Sequence, residues 1–223
     1  MEGKLMRHAA WRALLGAFLM GALLFVSAGT LQFWQAWLLL FILFVPMIPG
    51  ALVLGRKNPG LLQKRLDLRE RQAQQKAVVA GSGALLVITF LLAGFGVRFS
   101  WPALPAWASG LGAGVFLAAY ALYAQVLREN MFLSRVVEVQ ENQRVIDTGL
   151  YGVVRHPMYL SATLIFLSIP LVLGSPCGCL VMLLYLPLMV VRIRGEERLL
   201  RAELEGYEEY CARVRWRMIP LIW

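Results

Sequence analysis

Four stretches of about twenty apolar residues each, Trp11–Ala28, Phe33–Leu54, Ala77–Val97 and Trp107–Leu127, constrain this chain more than any other feature. Wound as helices they match the hydrocarbon thickness of a bilayer, and within lipid only a helix or a closed barrel satisfies its own backbone polar groups. Two shorter apolar runs, Pro157–Leu173 and Cys177–Val191, are joined by Gly174-Ser175-Pro176, which reads as the tight turn of a helical hairpin. The expected fold is all-α: a polytopic integral membrane bundle of about six membrane helices, the last two a hairpin, with a cytoplasmic C-terminal amphipathic helix. With 59% hydrophobic and only 16% charged residues, the chain is too apolar for an ordinary soluble domain.

Lys and Arg gather on the cytoplasmic side of membrane proteins, which tests the layout. With the N-terminus inside and six crossings, Arg98 is the one basic residue among 22 that falls outside. The formal charge of +9 then follows from topology and anionic lipid, and nucleic acid need not be invoked. Lys4, Arg7 and Arg12 ahead of an apolar run that ends in Val26-Ser27-Ala28 also suit a signal peptide. A second span follows within a few residues, which favours an uncleaved helical hairpin. The protein is thus expected in the inner or plasma membrane if bacterial, with both termini in the cytoplasm.

Several motifs that look chemical have simpler explanations. Gly110-Leu111-Gly112-Ala113-Gly114 follows no strand and opens an apolar span, so a packing face formed by Gly110, Gly114 and Ala118 is preferred to a nucleotide loop. Cys177, Cys179 and Cys211 lack the companions and spacing of a disulfide pair or metal site, and no metal is expected. No P-loop, Rossmann or Ser-His-Asp pattern occurs.

Polar chemistry collects instead around two places on the inner side. The first is Gly149-Leu150-Tyr151-Gly152-Val153-Val154-Arg155-His156-Pro157-Met158-Tyr159. Pro157 suits the first position of a helix, which puts His156 at the cap, and Arg155 beside a helix N-terminus makes an anion site. Ahead of it runs the long segment from Arg128 to Val154, with Asn130, Gln140, Gln143, Arg144 and Asp147 interleaved among Val145, Ile146 and other apolar residues. The second is the tail, where Arg192 and Glu196 stand four apart on one helical face. Ile193, Glu197, Leu200, Leu204, Tyr207, Cys211 and Val214 form an amphipathic stripe, and Gly206 should loosen the helix before Tyr207. On helix physics alone this tail is equally well an interfacial helix whose arginines bind lipid phosphates.

At these residues the chain resembles the isoprenylcysteine carboxyl methyltransferase family and its relatives, the membrane phospholipid N-methyltransferases. The resemblance runs from about Asn130 to the C-terminus, through Gly149-Leu150-Tyr151, Arg155-His156-Pro157-Met158-Tyr159, Glu196-Glu197-Arg198-Leu199-Leu200 and Tyr207-Glu208-Glu209-Tyr210. It implies residues 1–127 as N-terminal membrane helices and 128–223 as a catalytic region of the same membrane domain. It further implies S-adenosylmethionine bound without a Rossmann domain, and transfer of its methyl group to a membrane-borne lipophilic acceptor. Matched by position, cofactor contacts fall on Gln140, Gln143, Arg144, Val145, Ile146, Tyr151, His156, Pro157, Met158, Tyr159 and either Glu196 or Glu197. The acceptor falls to Arg192, with Asn130 beside it, and Arg192 and Glu196 form the catalytic pair. A carboxylate acceptor would be a nucleophile already, whereas an amine would need a base. A membrane reductase of the sterol type using NADPH and a non-catalytic lipid-binding protein remain as rival readings.

Overall fold

The computed structural model describes residues 2–57, 59–66, 73–130, 132–133 and 143–223. Among them the chain is helical with no strand: α1 (Glu2–Ala28), α2 (Trp34–Lys57), α3 (Pro59–Leu66), α4 (Ala73–Arg98), α5 (Ala106–Glu129), a 3-10 turn (Gly149–Gly152), α6 (Pro157–Val172), α7 (Pro176–Met182), α8 (Tyr185–Glu203) and α9 (Tyr207–Arg213). Among the described residues, five segments are long and apolar enough to cross a membrane: Met6–Ala28, Trp34–Arg56, Gln74–Arg98, Ala106–Glu129 and Pro176–Glu203. The expected sixth span is shorter, since α6 has 16 residues. It lies along α5, and the hairpin turn forms where expected, with Gly174 at φ +67° before Ser175 caps the next helix and Pro176 opens it.

The second leg of that hairpin is broken between α7 and α8. Pro187 has no N–H to offer the carbonyl of Leu183, which accepts from Leu186 at 3.1 Å instead, so the helix restarts at Tyr185. The bundle is held by one apolar core that includes Leu24, Phe33, Leu39, Phe90, Phe116 and Val172, and by a second that joins Val78, Tyr159, Met182, Tyr185, Met189 and Ile193. Much of the outward surface is apolar too, with Phe18, Trp37, Phe41, Trp107 and Leu180 exposed, as a lipid-facing surface requires.

The glycines of α5 behave differently from the expectation. Gly110 and Gly114 face open space, and Ala118 is exposed. The close approach is at Gly112, where an added Cβ would stand 2.8 Å from both Leu171 Cβ and the Val172 amide nitrogen of α6. Gly112→Ala is therefore expected to cost about 1–3 kcal/mol through forced separation of α5 and α6. Gly110→Ala, with room for its methyl, should leave the melting temperature in detergent unchanged or raised. Equal effects of the two substitutions would contradict this packing.

The amphipathic stripe of the tail is mostly buried, and it runs over two helices. Ile193, Glu197 and Leu200 lie on α8, Tyr207 on α9, with Leu204 between them. Gly206, at φ +77°, makes the turn that swings Tyr207 and Tyr210 back against α8.

Candidate active site

The site is built where α6 begins, α8 ends and the chain beyond α9 returns to meet them. The N–H groups of Arg155 and His156 donate to the carbonyls of Trp216 (2.9 Å) and Arg217 (2.7 Å), so the C-terminal segment is tied to the mouth of α6 by backbone. Arg155 reinforces the tie through Nη1, which donates to the carbonyls of Val214 (2.6 Å) and Arg215 (3.0 Å). Its Nε pairs with Glu197 Oε1 at 2.8 Å. The same carboxylate lies 3.3 Å from His156 Nε2 and pairs with Arg217 Nε at 2.9 Å through its other oxygen. Glu197 is thereby enclosed by three partners, with 5% of its side chain exposed.

Glu196, one residue earlier, points elsewhere. It accepts a short hydrogen bond from the Tyr159 hydroxyl, which in turn accepts from Arg192 Nε at 3.2 Å. Arg192 also donates through Nη1 to Gln75 Oε1 at 2.9 Å. Adjacent residues on a helix are turned by about 100° from one another. This rotation sends Glu197 into the ion cluster and leaves Glu196 on the open side.

Opposite them, Asn130 Nδ2 donates to the Tyr151 hydroxyl at 3.0 Å, while Asn130 Oδ1 receives the N–H of Phe132 at 2.9 Å. The Tyr210 hydroxyl donates to the Tyr151 carbonyl at 2.7 Å. Gly149, at φ +58°, lets the turn close onto Glu129, whose carboxylate accepts from the Leu150 N–H at 2.9 Å. Between these walls lies a pocket with about 800 Å³ of empty space, counting its open mouth.

Of the residues expected there, Asn130, Gln143, Val145, Ile146, Tyr151, His156, Met158, Tyr159, Arg192 and Glu196 line the pocket. Three do not. Arg144 is exposed, Pro157 is buried at the start of α6, and Glu197 is held in the ion cluster. Gln140 lies outside the described residues. The expected anion site also changes character, because Arg155 is committed to Glu197 and two carbonyls, and the Tyr159 and Leu160 N–H groups already donate to the His156 carbonyl. Residues that sequence reasoning did not assign to the site include Phe132, Leu199, Leu200, Leu204, Tyr207 and Tyr210. Five of these stood on the helical stripe or beside it, but an apolar or aromatic position on a stripe does not announce a ligand.

Tyr207 is the informative one. Its hydroxyl is buried without a hydrogen-bond partner among the described residues, although Tyr207 lines the pocket. Such an orphan costs roughly 1–3 kcal/mol unless a ligand supplies the missing bond. Burial, followed by the negative charges of Glu197 and Glu196, raises its pKa well above the ordinary tyrosine value. The hydroxyl therefore stays protonated and can donate. Burial raises Tyr210 in the same direction. Among the described residues no cluster of His, Cys, Asp or Glu could hold a metal ion, and the three cysteines are unpaired.

No individually curated protein matches the chain. The segment that carries α5, the turn, α6, α7 and α8 is similar to a known family: residues 107–205 match the model of the phospholipid methyltransferases.

Proposed function

We propose that the protein is an S-adenosylmethionine-dependent methyltransferase of the isoprenylcysteine carboxyl methyltransferase type, acting on a membrane-borne lipophilic carboxylate. One observation carries the reading: Tyr159 at the start of α6 bridges Arg192 and Glu196 of α8, on the wall of a pocket also lined by Tyr207, whose buried hydroxyl has no partner among the described residues. The two polar regions of the sequence thus line one open cavity, within or next to the segment matched by the family.

The residues suit S-adenosylmethionine, which when bound supplies an electrophilic methyl group on a sulfonium. Glu196 would hold the ammonium or the ribose hydroxyls by charge-assisted hydrogen bonds. Tyr207 would donate its unpaired hydroxyl to the nucleoside. Val145, Ile146, Leu199, Leu200 and Leu204 supply apolar wall and keep water from the reacting groups. Arg192 would orient the acceptor's carboxylate, which needs no general base. What remains for the protein is alignment of the acceptor oxygen, and alignment alone can supply several kcal/mol. By the distribution of basic residues, the cavity opens toward the cytoplasm.

The test is transfer of a labelled methyl group from S-adenosylmethionine to lipids extracted from membranes. A carboxylate acceptor yields a methyl ester that base releases as methanol, whereas an amine acceptor yields a base-stable product. Base-labile label is expected. Base-stable label would replace the carboxylate with an amine acceptor. Stabilisation of the folded protein by NADPH or by anionic vesicles, with none by S-adenosylhomocysteine, would overturn the methyltransferase reading.

Tyr207→Phe gives a paired prediction. Affinity for S-adenosylhomocysteine should fall about five- to tenfold, since one neutral hydrogen bond is lost. The melting temperature of the ligand-free protein should hold or rise, because a buried unsatisfied hydroxyl has been removed. A fall in stability with unchanged affinity would mean that the hydroxyl serves the fold.

A further inference from the structure

We infer that Gln75 is a positioning residue for the acceptor: it fixes the guanidinium of Arg192 and so sets the site's preference for an anionic headgroup. The inference rests on the reading of Arg192 given above and extends it to α4, outside the segment matched by the family.

Gln75 stands near the start of α4 and is fully buried, whereas its neighbours Gln74 and Lys76 are exposed, and a buried amide is an unusual thing to find without partners. Its two ends engage the same residue. Oε1 accepts from Arg192 Nη1 at 2.9 Å, and Nε2 donates to the Arg192 carbonyl at 3.3 Å. A single amide thus holds both the backbone and the head of Arg192, while the Tyr159 hydroxyl holds Nε from another side. An arginine side chain has about 2 kcal/mol of rotamer entropy to lose on being fixed. Here much of that loss is taken before any acceptor arrives.

Gly195 makes the clamp possible. A Cβ at that position would stand 2.3 Å from Gln75 Nε2, so any side chain at position 195 would force the amide to shift. The neighbouring Gln74 accepts from Arg198 Nη2 at 3.0 Å, which draws the same two helices together at their exposed edge. Arg198 can lose that contact without disturbing the pocket. Gln75 cannot, because its partner lines it. The amide also adds no counter-charge of its own to Arg192, as a carboxylate at position 75 would.

The experiment uses the full chain in detergent and two probes with the same isoprenoid tail, farnesoic acid and farnesol. Wild-type protein should bind the acid more tightly than the alcohol. Gln75→Met keeps the volume and removes both hydrogen bonds. It should reduce that acid-over-alcohol preference about tenfold while leaving affinity for farnesol and for S-adenosylhomocysteine unchanged. Gln75→Glu, which sets a carboxylate against Arg192, should lose the acid preference at least as far. Retention of the wild-type preference in both variants would overturn the proposal. So would a parallel loss of acid, alcohol and S-adenosylhomocysteine binding, which would mark Gln75 as purely structural, and so would the absence of any acid preference in wild type. If wild type fails to bind S-adenosylhomocysteine, the methyltransferase reading falls, while the acid-to-alcohol ratio still decides the role of Gln75.

Discussion

Glu197→Ala is expected to lower the free energy of unfolding by about 3–5 kcal/mol, the loss typical of removing one partner from a buried ion pair. The magnitude follows from what is left behind. Arg155, with 4% of its side chain exposed, would lose its only ionic partner among the described residues, Arg217 would lose the same carboxylate, and His156 would lose its contact at 3.3 Å. The tie between the C-terminal segment and α6 passes through the same arginine, so the failure should begin there. Limited proteolysis should cut the variant beyond Leu204 before it cuts the bundle. Glu197→Gln, which keeps the hydrogen-bond acceptor and loses the charge, should fall between the variant and wild type. A wild-type melting temperature for Glu197→Ala would show that the cluster contributes little.

Glu196→Ala should do the reverse. Its carboxylate lines the pocket, and its one hydrogen bond among those described comes from Tyr159, whose hydroxyl stays engaged with Arg192. Stability should therefore change little. Affinity for S-adenosylhomocysteine should drop roughly ten- to a hundredfold, the range for hydrogen bonds to a charged group. Two adjacent glutamates would then separate cleanly, one acting on folding and the other on ligand. If both variants lose stability together, the division of labour between them is wrong.

That division marks the limit of what the sequence discloses. The spans, the hairpin turn at Gly174 and the turn at Gly206 were legible because they depend on local signals: apolar length, proline at a helix start, glycine where φ is positive. The break between α7 and α8 had a local signal too, since Pro187 deprives Leu183 of a partner, but the apolar run masked it. The stripe already hinted that Glu197 faces inward with Ile193 and Leu200. What no local pattern supplied was the partner of each charge. Arg155 meets a glutamate 42 positions away and Gln75 meets an arginine 117 positions away, and only the packing of α4, α6 and α8 brings them together. Gly112 shows the same limit on a smaller scale, because the face of α5 that needs a glycine is chosen by α6.

The central claim is that the cavity between the α6 start and the α8 exit receives a nucleoside cofactor. Isothermal titration of S-adenosylhomocysteine into the folded protein in detergent tests it most directly. Saturable binding at one site per chain is predicted, weakened by Glu196→Ala and by Tyr207→Phe. Absence of heat from wild-type protein that is folded by its melting curve, or binding that neither substitution alters, would contradict it.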